Sequence, residues 1–319
     1  MKPHPEYKNY DTTLDGVKET LDKYGVAVVK IFSEEECRML RNGIWDGIGR
    51  ILQGRFDIHD KSTWREFYTL FPIHSMLVQH FQVGHLQSVW DVRQHPKVAE
   101  VFARIHAVDA QELLTSFDGV SLHLPHEETK RGHYRGNNWL HTDQSPLNKD
   151  YCVQGFVNLY PVGDGDATLS ILEGSHNKHA EILGNRTPPI KSNWYKLSGE
   201  DEAAFAAAGC KQFCVKAEVG TLVLWDSRTI HQGIEPTKTR QAQNFRSIVY
   251  VCQTPRAWAT EKDLEKKRKY FEEKRMTTHW PHKVKVFGKN PRTYGVELPA
   301  TNSVPTPILT DLGKRLANF

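Results

Sequence analysis

His141 and Asp143 are separated by one residue, in a stretch that reads Asn-Asn-Trp-Leu-His-Thr-Asp from residue 137. On an extended strand, side chains two positions apart leave the same face, so this imidazole and this carboxylate can converge on one point. A second imidazole, that of His231, follows the apolar run 220–226, which predicts a buried strand that ends in a turn. Two histidines and one carboxylate form the facial triad that binds non-haem Fe(II) and leaves coordination positions open.

An arginine within an apolar strand is the second feature with chemical meaning. Arg246 lies near the start of the run Phe-Arg-Ser-Ile-Val-Tyr-Val-Cys, which predicts a buried strand. A buried guanidinium needs an anionic partner because burying an unpaired charge is costly, and a bidentate carboxylate suits it best. The chain contains 16 histidines, so a His-x-Asp triplet alone is weak support for a metal site. Its order and spacing relative to His231 and Arg246 favour one.

These segments resemble the phytanoyl-coenzyme A dioxygenase family of Fe(II)- and 2-oxoglutarate-dependent oxygenases. Their order along the chain is the family's order, and the resemblance extends over roughly residues 15 to 255. The N-terminal run also looks like the family's opening strand and helix. The segments that carry the resemblance are Lys23–Cys37, Trp139–Asp143, Leu172–His176, Gly220–Gly233 and Phe245–Ser247.

The resemblance implies a set of ligands and a reaction. His141, Asp143 and His231 would bind iron(II), and Arg246 would bind the distal carboxylate of the cosubstrate 2-oxoglutarate. Dioxygen would be the third reactant, and a C–H bond of the substrate would be hydroxylated or otherwise oxidised while 2-oxoglutarate becomes succinate and carbon dioxide. The family places the turn that contains His176 outside the metal shell, so His176 is not expected to be a ligand.

The position of the carboxylate-binding arginine is a departure from the family pattern. Arg246 lies fifteen positions after His231, more than is usual in the family, and the polar segment 235–244 fills the interval. Arg240 in that segment is therefore a rival for the same role. We favour Arg246 because it lies within a predicted strand, whereas Arg240 lies among polar residues that water would solvate.

The pattern of the remaining chain predicts a mainly β fold with α additions. Short apolar runs after residue 113, divided by Gly, Pro and Asp turns, favour a double-stranded β-helix (jelly roll) core flanked by helices. Ser33 and Glu36 form a capping-box pair at the start of a helix that extends to Gly54. Strands are predicted at 26–32, 113–124, 151–161 and 167–172, with the turn Gly163–Asp166 joining the last two as a hairpin.

One oxygenase domain is predicted over residues 1–255, with a helical N-terminal part, a jelly roll and an insertion at about 177–215. Residues 185–196 of the insertion either cover the site as a lid or anchor the loop. Residues 256–319 form a charged helix and a C-terminal extension, packed on or trailing from the same domain. Hydrophobic residues make up 39% of the 319, enough for a sizeable core.

Cysteine usage and hydropathy indicate the compartment. Five cysteines, an odd number, favour free thiols in a reducing environment. Cys210 and Cys214 have the spacing of half a zinc site, but no second close pair accompanies them, so buried thiols are the preferred reading. The N-terminus lacks the apolar core of a signal peptide and no apolar run reaches bilayer length, so a cytoplasmic protein with no membrane partner is expected.

Two basic stretches bear on the partner. Residues 130–135 precede the His-x-Asp segment and predict either a solvated loop or a positive rim for a small anionic substrate, and residues 279–289 interleave basic and aromatic side chains. The second stretch would suit nucleic acid, although it contains no recognised motif. The alternatives to a small-molecule oxygenase are a non-catalytic jelly-roll binding protein and an oxygenase that acts on nucleic acid or protein through this region. The oligomeric state stays open.

Overall fold

The computed structural model describes residues 4–72 and 76–319. Within them the chain forms a mixed α/β fold with two large sheets. The helices are α1 Val17–Tyr24, α2 Glu34–Ile51, α3 Gln87–Arg93, α4 Pro96–His106, α5 His126–Thr129, α6 Ser175–Leu183, α7 Gly199–Ala207, α8 Glu261–Glu272 and α9 Asp311–Ala317. The strands are β1 Glu6–Lys8, β2 Asp11–Thr12, β3 Val26–Lys30, β4 Leu77–Val78, β5 Leu113–Thr115, β6 Val120–His123, β7 His141–Thr142, β8 Val153–Asn158, β9 Thr168–Leu172, β10 Tyr195–Lys196, β11 Gln212–Val215, β12 Thr221–Asp226, β13 His231–Ile234, β14 Arg246–Val251 and β15 Gln253–Pro255.

Two sheets carry the architecture. One has six strands in the order β1-β11-β9-β13-β7-β10, and the other has seven in the order β2-β3-β12-β8-β14-β6-β4. The strand pairs are antiparallel except β1 with β11 and β2 with β3. The large antiparallel sheets with helical additions agree with the sequence-based prediction. In the described part of the chain, no helix combines the length and hydropathy needed to cross a bilayer.

The alternation of side chains on β3 shows how the layers are arranged. Ala27 and Val29 pack into the large cluster formed with the N-terminal helices, whereas Val26 and Val28 pack into a second cluster with residues of both sheets. Because successive side chains on a strand point to opposite faces, the seven-stranded sheet has helices on one side and the six-stranded sheet on the other. The space between the two inner faces is where a site can form.

The N-terminal elements follow the local signals in the sequence. Helix α1 ends at Gly25, whose φ of 78° is the left-handed conformation that glycine adopts without strain. Ser33 and Glu36 make the predicted capping box at the start of α2. Helix α2 ends at Ile51, three residues before the predicted end at Gly54. Local hydrogen bonding and backbone preference therefore determine this third of the fold.

Two predicted strand arrangements are wrong. The turn Gly163–Asp166 does not close a hairpin, because β8 belongs to the seven-stranded sheet and β9 to the six-stranded sheet. The segment 113–124 is two strands, since β5 pairs with β15 in a small separate sheet while β6 pairs with β14. Turn residues predict that the chain reverses, but the partner of the returning strand is chosen by packing that local sequence does not encode.

The intervals predicted as insertion and extension both contribute to the fold. Residues 177–215 contain β10 and β11, which are strands of the six-stranded sheet, so this interval differs from a simple excursion. In the extension, the Phe271 and Phe319 rings lie 5.2 Å apart, and the Asn318 amide donates to the carbonyl of Leu264 at 2.8 Å. Helix α9 was not predicted from the sequence, and its contacts fix the C-terminal end to α8.

Candidate metal centre

His141, Asp143 and His231 come together because two neighbouring strands present them. His141 on β7 is the register partner of His231 on β13, and their ring centroids are 4.3 Å apart. Asp143 follows β7 on the face that His141 occupies, as the spacing predicted. Each residue offers one ligand atom, and the three atoms lie within 4.8 Å of one another. Among the described residues this is the only such group of histidine, cysteine and carboxylate side chains.

Backbone carbonyls orient both imidazoles. The Nδ1 atom of His141 lies 3.2 Å from the carbonyl oxygen of Trp139, and that of His231 lies 2.8 Å from the carbonyl oxygen of Thr229. A carbonyl only accepts, so Nδ1 carries the proton and the Nε2 lone pair is free for a metal. The two Nε2 atoms lie 3.8 Å and 3.3 Å from the oxygens of Asp143.

The protonation states suit metal binding. Burial lowers the pKa of His141 to about 4, and the neighbouring His231 acts in the same direction, so the imidazole is neutral near pH 7. Burial alone would raise the pKa of Asp143, but the nearby imidazoles of His231, His279 and His141 hold that pKa well below its usual range. The side-chain amide of Gln154 donates to Asp143 at 3.0 Å. Two imidazoles and one carboxylate are the donor set that non-haem Fe(II) takes, so these residues fit that ion.

The two rival arginines have different surroundings. Arg240 is held by three carboxylate contacts, two to Glu127 at 2.6 and 2.7 Å and one to Asp166 at 2.9 Å. Arg246 is buried, its Nη1 donates to the carbonyl of Ala167 at 2.7 Å, and its Nε has no partner among the described residues. Arg246 therefore keeps donors for an anionic ligand, whereas those of Arg240 are satisfied within the protein.

A cavity of about 850 Å³ joins the metal-binding cluster to Arg246. Both sheets contribute to its wall, and so do segments far away in the chain. Lys191–Trp194 lies on it, and the Trp194 ring is 5.9 Å from that of His141. Its lining includes the tryptophan, phenylalanine and tyrosine side chains of Trp139, Phe156, Trp194, Trp225, Tyr250, Trp280 and Phe287. The cavity is large enough for a cosubstrate and a small organic substrate together.

The structure changes the roles predicted for the basic stretches. None of the residues 130–135 lines the cavity, and the Arg131 guanidinium instead stacks on the Tyr68 ring at 4.1 Å. The predicted positive rim at that loop is therefore wrong. Five residues of the stretch 279–289, which was considered for nucleic-acid binding, line the cavity instead: His279, Trp280, Lys283, Lys285 and Phe287. The preceding residue, Thr278, lines it as well. The alternation of aromatic and basic side chains was visible in the sequence, but it did not predict that this segment lines the cavity.

Other residues singled out in the sequence lie apart from the cluster. The His176 ring contacts the carbonyl oxygen of Asp22 at 2.9 Å, and His176 is not among the cavity-lining residues. Cys210 and Cys214 are buried free thiols that join no metal-binding group among the described residues. Cys214 lies on β11, and Cys210 lies just before that strand.

Comparisons with known proteins identify a relative with a similar sequence and solved structures with a similar fold. The chain is 32% identical over 238 residues to Ava biosynthesis cluster protein O of Aspergillus versicolor, which covers 72% of this chain and 73% of the relative. No family model matches the chain. The fold resembles that of the hypothetical protein JW0805 of Escherichia coli, with a TM-score of 0.61 at 14% identity over 97% of this chain and 85% of the other. It also resembles SnoK, described as a non-heme alpha-ketoglutarate-dependent carbocyclase from nogalamycin biosynthesis, with a TM-score of 0.50 at 15% identity over 77% and 89%.

Proposed function

This chain belongs to the same family as Ava biosynthesis cluster protein O, and we propose that it is an Fe(II)- and 2-oxoglutarate-dependent oxygenase of the phytanoyl-coenzyme A dioxygenase type. Its substrate is a small molecule, and the reaction oxidises one of that molecule's C–H bonds. The observation that carries the proposal is that the His141, Asp143 and His231 cluster and the guanidinium of Arg246 line one cavity.

The chain's own residues have distinct tasks in this proposal. His141, Asp143 and His231 would hold the metal, and a triad of this kind leaves coordination positions open for other ligands. Arg246 pairs with the distal carboxylate of 2-oxoglutarate, which supplies the anion that its burial calls for. The iron, with 2-oxoglutarate and dioxygen bound, supplies the oxidising power while 2-oxoglutarate is converted to succinate and carbon dioxide.

The inner faces of the sheets keep the reaction away from bulk water. Phe156 and Trp225 are 1% and 3% exposed and line the cavity beside the metal-binding cluster. The Trp225 indole nitrogen is buried without a partner, so it is a second donor that a bound carboxylate can satisfy. Residues Lys191–Trp194 line the cavity, so this segment is the candidate for a lid. A dry cavity strengthens the ion pair between Arg246 and its ligand.

The fold and the domain organisation also support the proposed oxygenase function. We propose that the two facing sheets are the double-stranded β-helix of this enzyme class, because β7, β8, β13 and β14 place the site between their inner faces. Residues 1–255 form the oxygenase domain, and residues 256–319 belong to it as an extension that completes the cavity. A small-molecule partner fits this arrangement better than nucleic acid, since the basic residues Lys283 and Lys285 of the extension line the same cavity as the candidate metal ligands.

An anaerobic titration with 2-oxoglutarate tests the proposal. The Fe(II)-loaded protein should develop the weak visible charge-transfer band of a chelated 2-oxo acid. Arg246→Ala should need at least about tenfold more 2-oxoglutarate, because a buried charge-assisted pair contributes about 1.5–3 kcal/mol. Arg240→Gln should keep the wild-type midpoint, since Arg240 is satisfied by Glu127 and Asp166.

One result would count against this function, and another would change the residue assigned to the cosubstrate. If iron is bound, by elemental analysis, and no band forms, the cosubstrate assignment is wrong and a non-catalytic binding protein becomes the better reading. If Arg240→Gln and not Arg246→Ala shifts the midpoint, the carboxylate partner is Arg240. Arg246→Lys keeps the charge and checks that any loss in the alanine variant reflects the guanidinium rather than unfolding.

A further inference from the structure

The C-terminal residues that line the cavity form a hairpin-shaped loop, here called the C-terminal hairpin, residues 276–287. Thr277 and Val286 form an antiparallel bridge, Thr278 N–H donates to the carbonyl of Lys285, and Phe287 N–H donates to the carbonyl of Met276, both at 2.9 Å. Six of its residues line the cavity: Thr278, His279, Trp280, Lys283, Lys285 and Phe287. The loop therefore has a fixed shape of its own.

Contacts at both ends attach the C-terminal hairpin to the sheets. Thr277 exchanges two hydrogen bonds of 2.9 Å with the backbone of Phe117. Near the tip, the two ring nitrogens of His282 contact the Thr254 hydroxyl at 3.0 Å and the Asp150 carboxylate at 3.3 Å. A loop anchored at base and tip presents its cavity-facing side chains in a defined geometry, which is a requirement for recognising a ligand.

Two polar atoms of this wall are buried without partners. The Oγ1 of Thr278 and the Nε2 of His279 have no hydrogen-bond partner among the described residues, and both residues line the cavity. Buried polar atoms are nearly always satisfied, so a pair of unsatisfied ones on a cavity wall points to a ligand. Trp280 and Phe287 on the same hairpin supply apolar surface beside them. Together they suit a molecule with a flat apolar body and at least one polar group.

The charges on the wall are not balanced by the protein. Lys283 is paired with Asp150, but Lys191 and Lys285 line the cavity, are exposed at its mouth, and form no ion pair with any described residue. Under the proposed function, the metal centre with 2-oxoglutarate bound has no net charge. The positive charges of Fe(II) and Arg246 balance the negative charges of Asp143 and of the two carboxylates of 2-oxoglutarate. Among the described residues that line the cavity, the only acidic group besides Asp143 is the buried carboxyl of Asp118, which accepts hydrogen bonds from Gln79 and the Gly119 N–H.

We propose that the C-terminal hairpin is the substrate-recognition wall and that the substrate is an acidic aromatic molecule. Lys191 and Lys285 hold its acidic group at the cavity mouth, Trp194, Trp280 and Phe287 hold its ring system, and Thr278 and His279 bond to a second polar group. This inference rests on the proposed function for the orientation of the substrate toward the metal. It extends that function by naming the chemical class of the substrate and the segment that selects it.

The test uses matched probes rather than an unidentified substrate. Binding of 2-naphthoate and of its uncharged isostere 2-naphthamide to the full-length protein is measured by titration calorimetry and by quenching of tryptophan fluorescence. The metal-free protein should bind 2-naphthoate about five- to tenfold more tightly than 2-naphthamide, which corresponds to about 1–1.4 kcal/mol. Lys191→Gln combined with Lys285→Gln should remove that preference. Lys289→Gln, on the same segment but outside the cavity lining, should keep it.

The outcomes separate this inference from the proposed function. Equal affinity for the two probes, or a preference that survives the double lysine substitution, overturns the assignment of the acidic group. Failure of both probes to bind at millimolar concentration overturns the aromatic assignment. Because the measurement uses neither iron nor 2-oxoglutarate, a missing charge-transfer band would defeat the proposed function while leaving the naphthoate preference intact. Repeating it in Arg246→Met excludes Arg246 as the source of that preference.

Discussion

At the scale of single residues, the metal-binding cluster makes the sharpest prediction. His141→Ala should weaken Fe(II) binding more than about 100-fold, because loss of an outer partner alone costs 10- to 100-fold and a direct ligand contributes more. Anaerobic titration calorimetry with Fe(II) measures the change. His59→Ala removes an exposed histidine outside the cluster and should bind iron as the wild type does. Equal affinity of the two variants would contradict the assignment.

Gln154 gives a residue-scale prediction about orientation. Its amide donates to the Asp143 carboxylate at 3.0 Å, so it holds the carboxylate in the position that faces both imidazoles. Gln154→Leu keeps the size but removes the donor, and we expect about tenfold weaker Fe(II) binding with little loss of stability. Gln111→Leu, on the surface, is the matched control. An unchanged iron affinity in Gln154→Leu would mean that the β-strand backbone alone orients Asp143.

At the scale of elements, the start of β12 limits what the chain tolerates. Gly220 has a φ of 76°, and a Cβ there would lie 2.2 Å from the backbone oxygen of Phe32. Its carbonyl accepts from the N–H groups of Ile31 and Phe32, so the position joins β12 to the end of β3. Gly220→Ala should lower the free energy of unfolding by more than about 2 kcal/mol, from left-handed strain plus the backbone clash.

The matched control for Gly220 is Gly199, the first residue of α7. A Cβ at Gly199 would meet nothing within 4 Å, and its φ is not positive, so Gly199→Ala should be neutral or slightly stabilising. Urea denaturation followed by circular dichroism measures both variants. If Gly220→Ala proves as stable as Gly199→Ala, the junction between β3 and β12 is more adaptable than the structure shows.

At the scale of the whole molecule, a buried lysine links stability to pH. Lys267 on α8 is 1% exposed, and burial, with Arg93 and Arg256 nearby, lowers its pKa to about 7. The unfolded chain binds this proton at pH values where the folded protein does not. Stability should therefore rise with pH between about 7 and 10.5, the range between the two pKa values.

Lys267→Met should remove that slope and raise stability near pH 7, because the apolar side chain has no charge to desolvate. Lys262→Met, an exposed position on the same helix, should keep the wild-type pH dependence. Thermal unfolding at several pH values between 7 and 10 compares the three proteins. A slope that persists in Lys267→Met would assign it to other groups.

The sequence by itself determined the features that depend on near neighbours. The two-residue spacing of His141 and Asp143 predicted that their side chains converge, and Ser33 with Glu36 determined the start of α2. These predictions succeeded because side-chain alternation and helix capping act within a few residues. The apolar run before His231 likewise predicted β12, the strand that precedes His231.

Only the tertiary structure decided which distant groups meet. Arg240 and Arg246 are the same residue type, and the sequence could not tell how their surroundings differ. In the structure, Glu127 and Asp166, 113 and 74 residues away from Arg240, bind its guanidinium. The turn residues at 163–166 predicted that the chain reverses, but not which strand pairs with the returning strand. The residues at 279–289 predicted a basic segment, but not where it packs in the fold. Pairing between sheets and docking of the C-terminal hairpin depend on surfaces that exist only after folding, so local sequence patterns do not encode them.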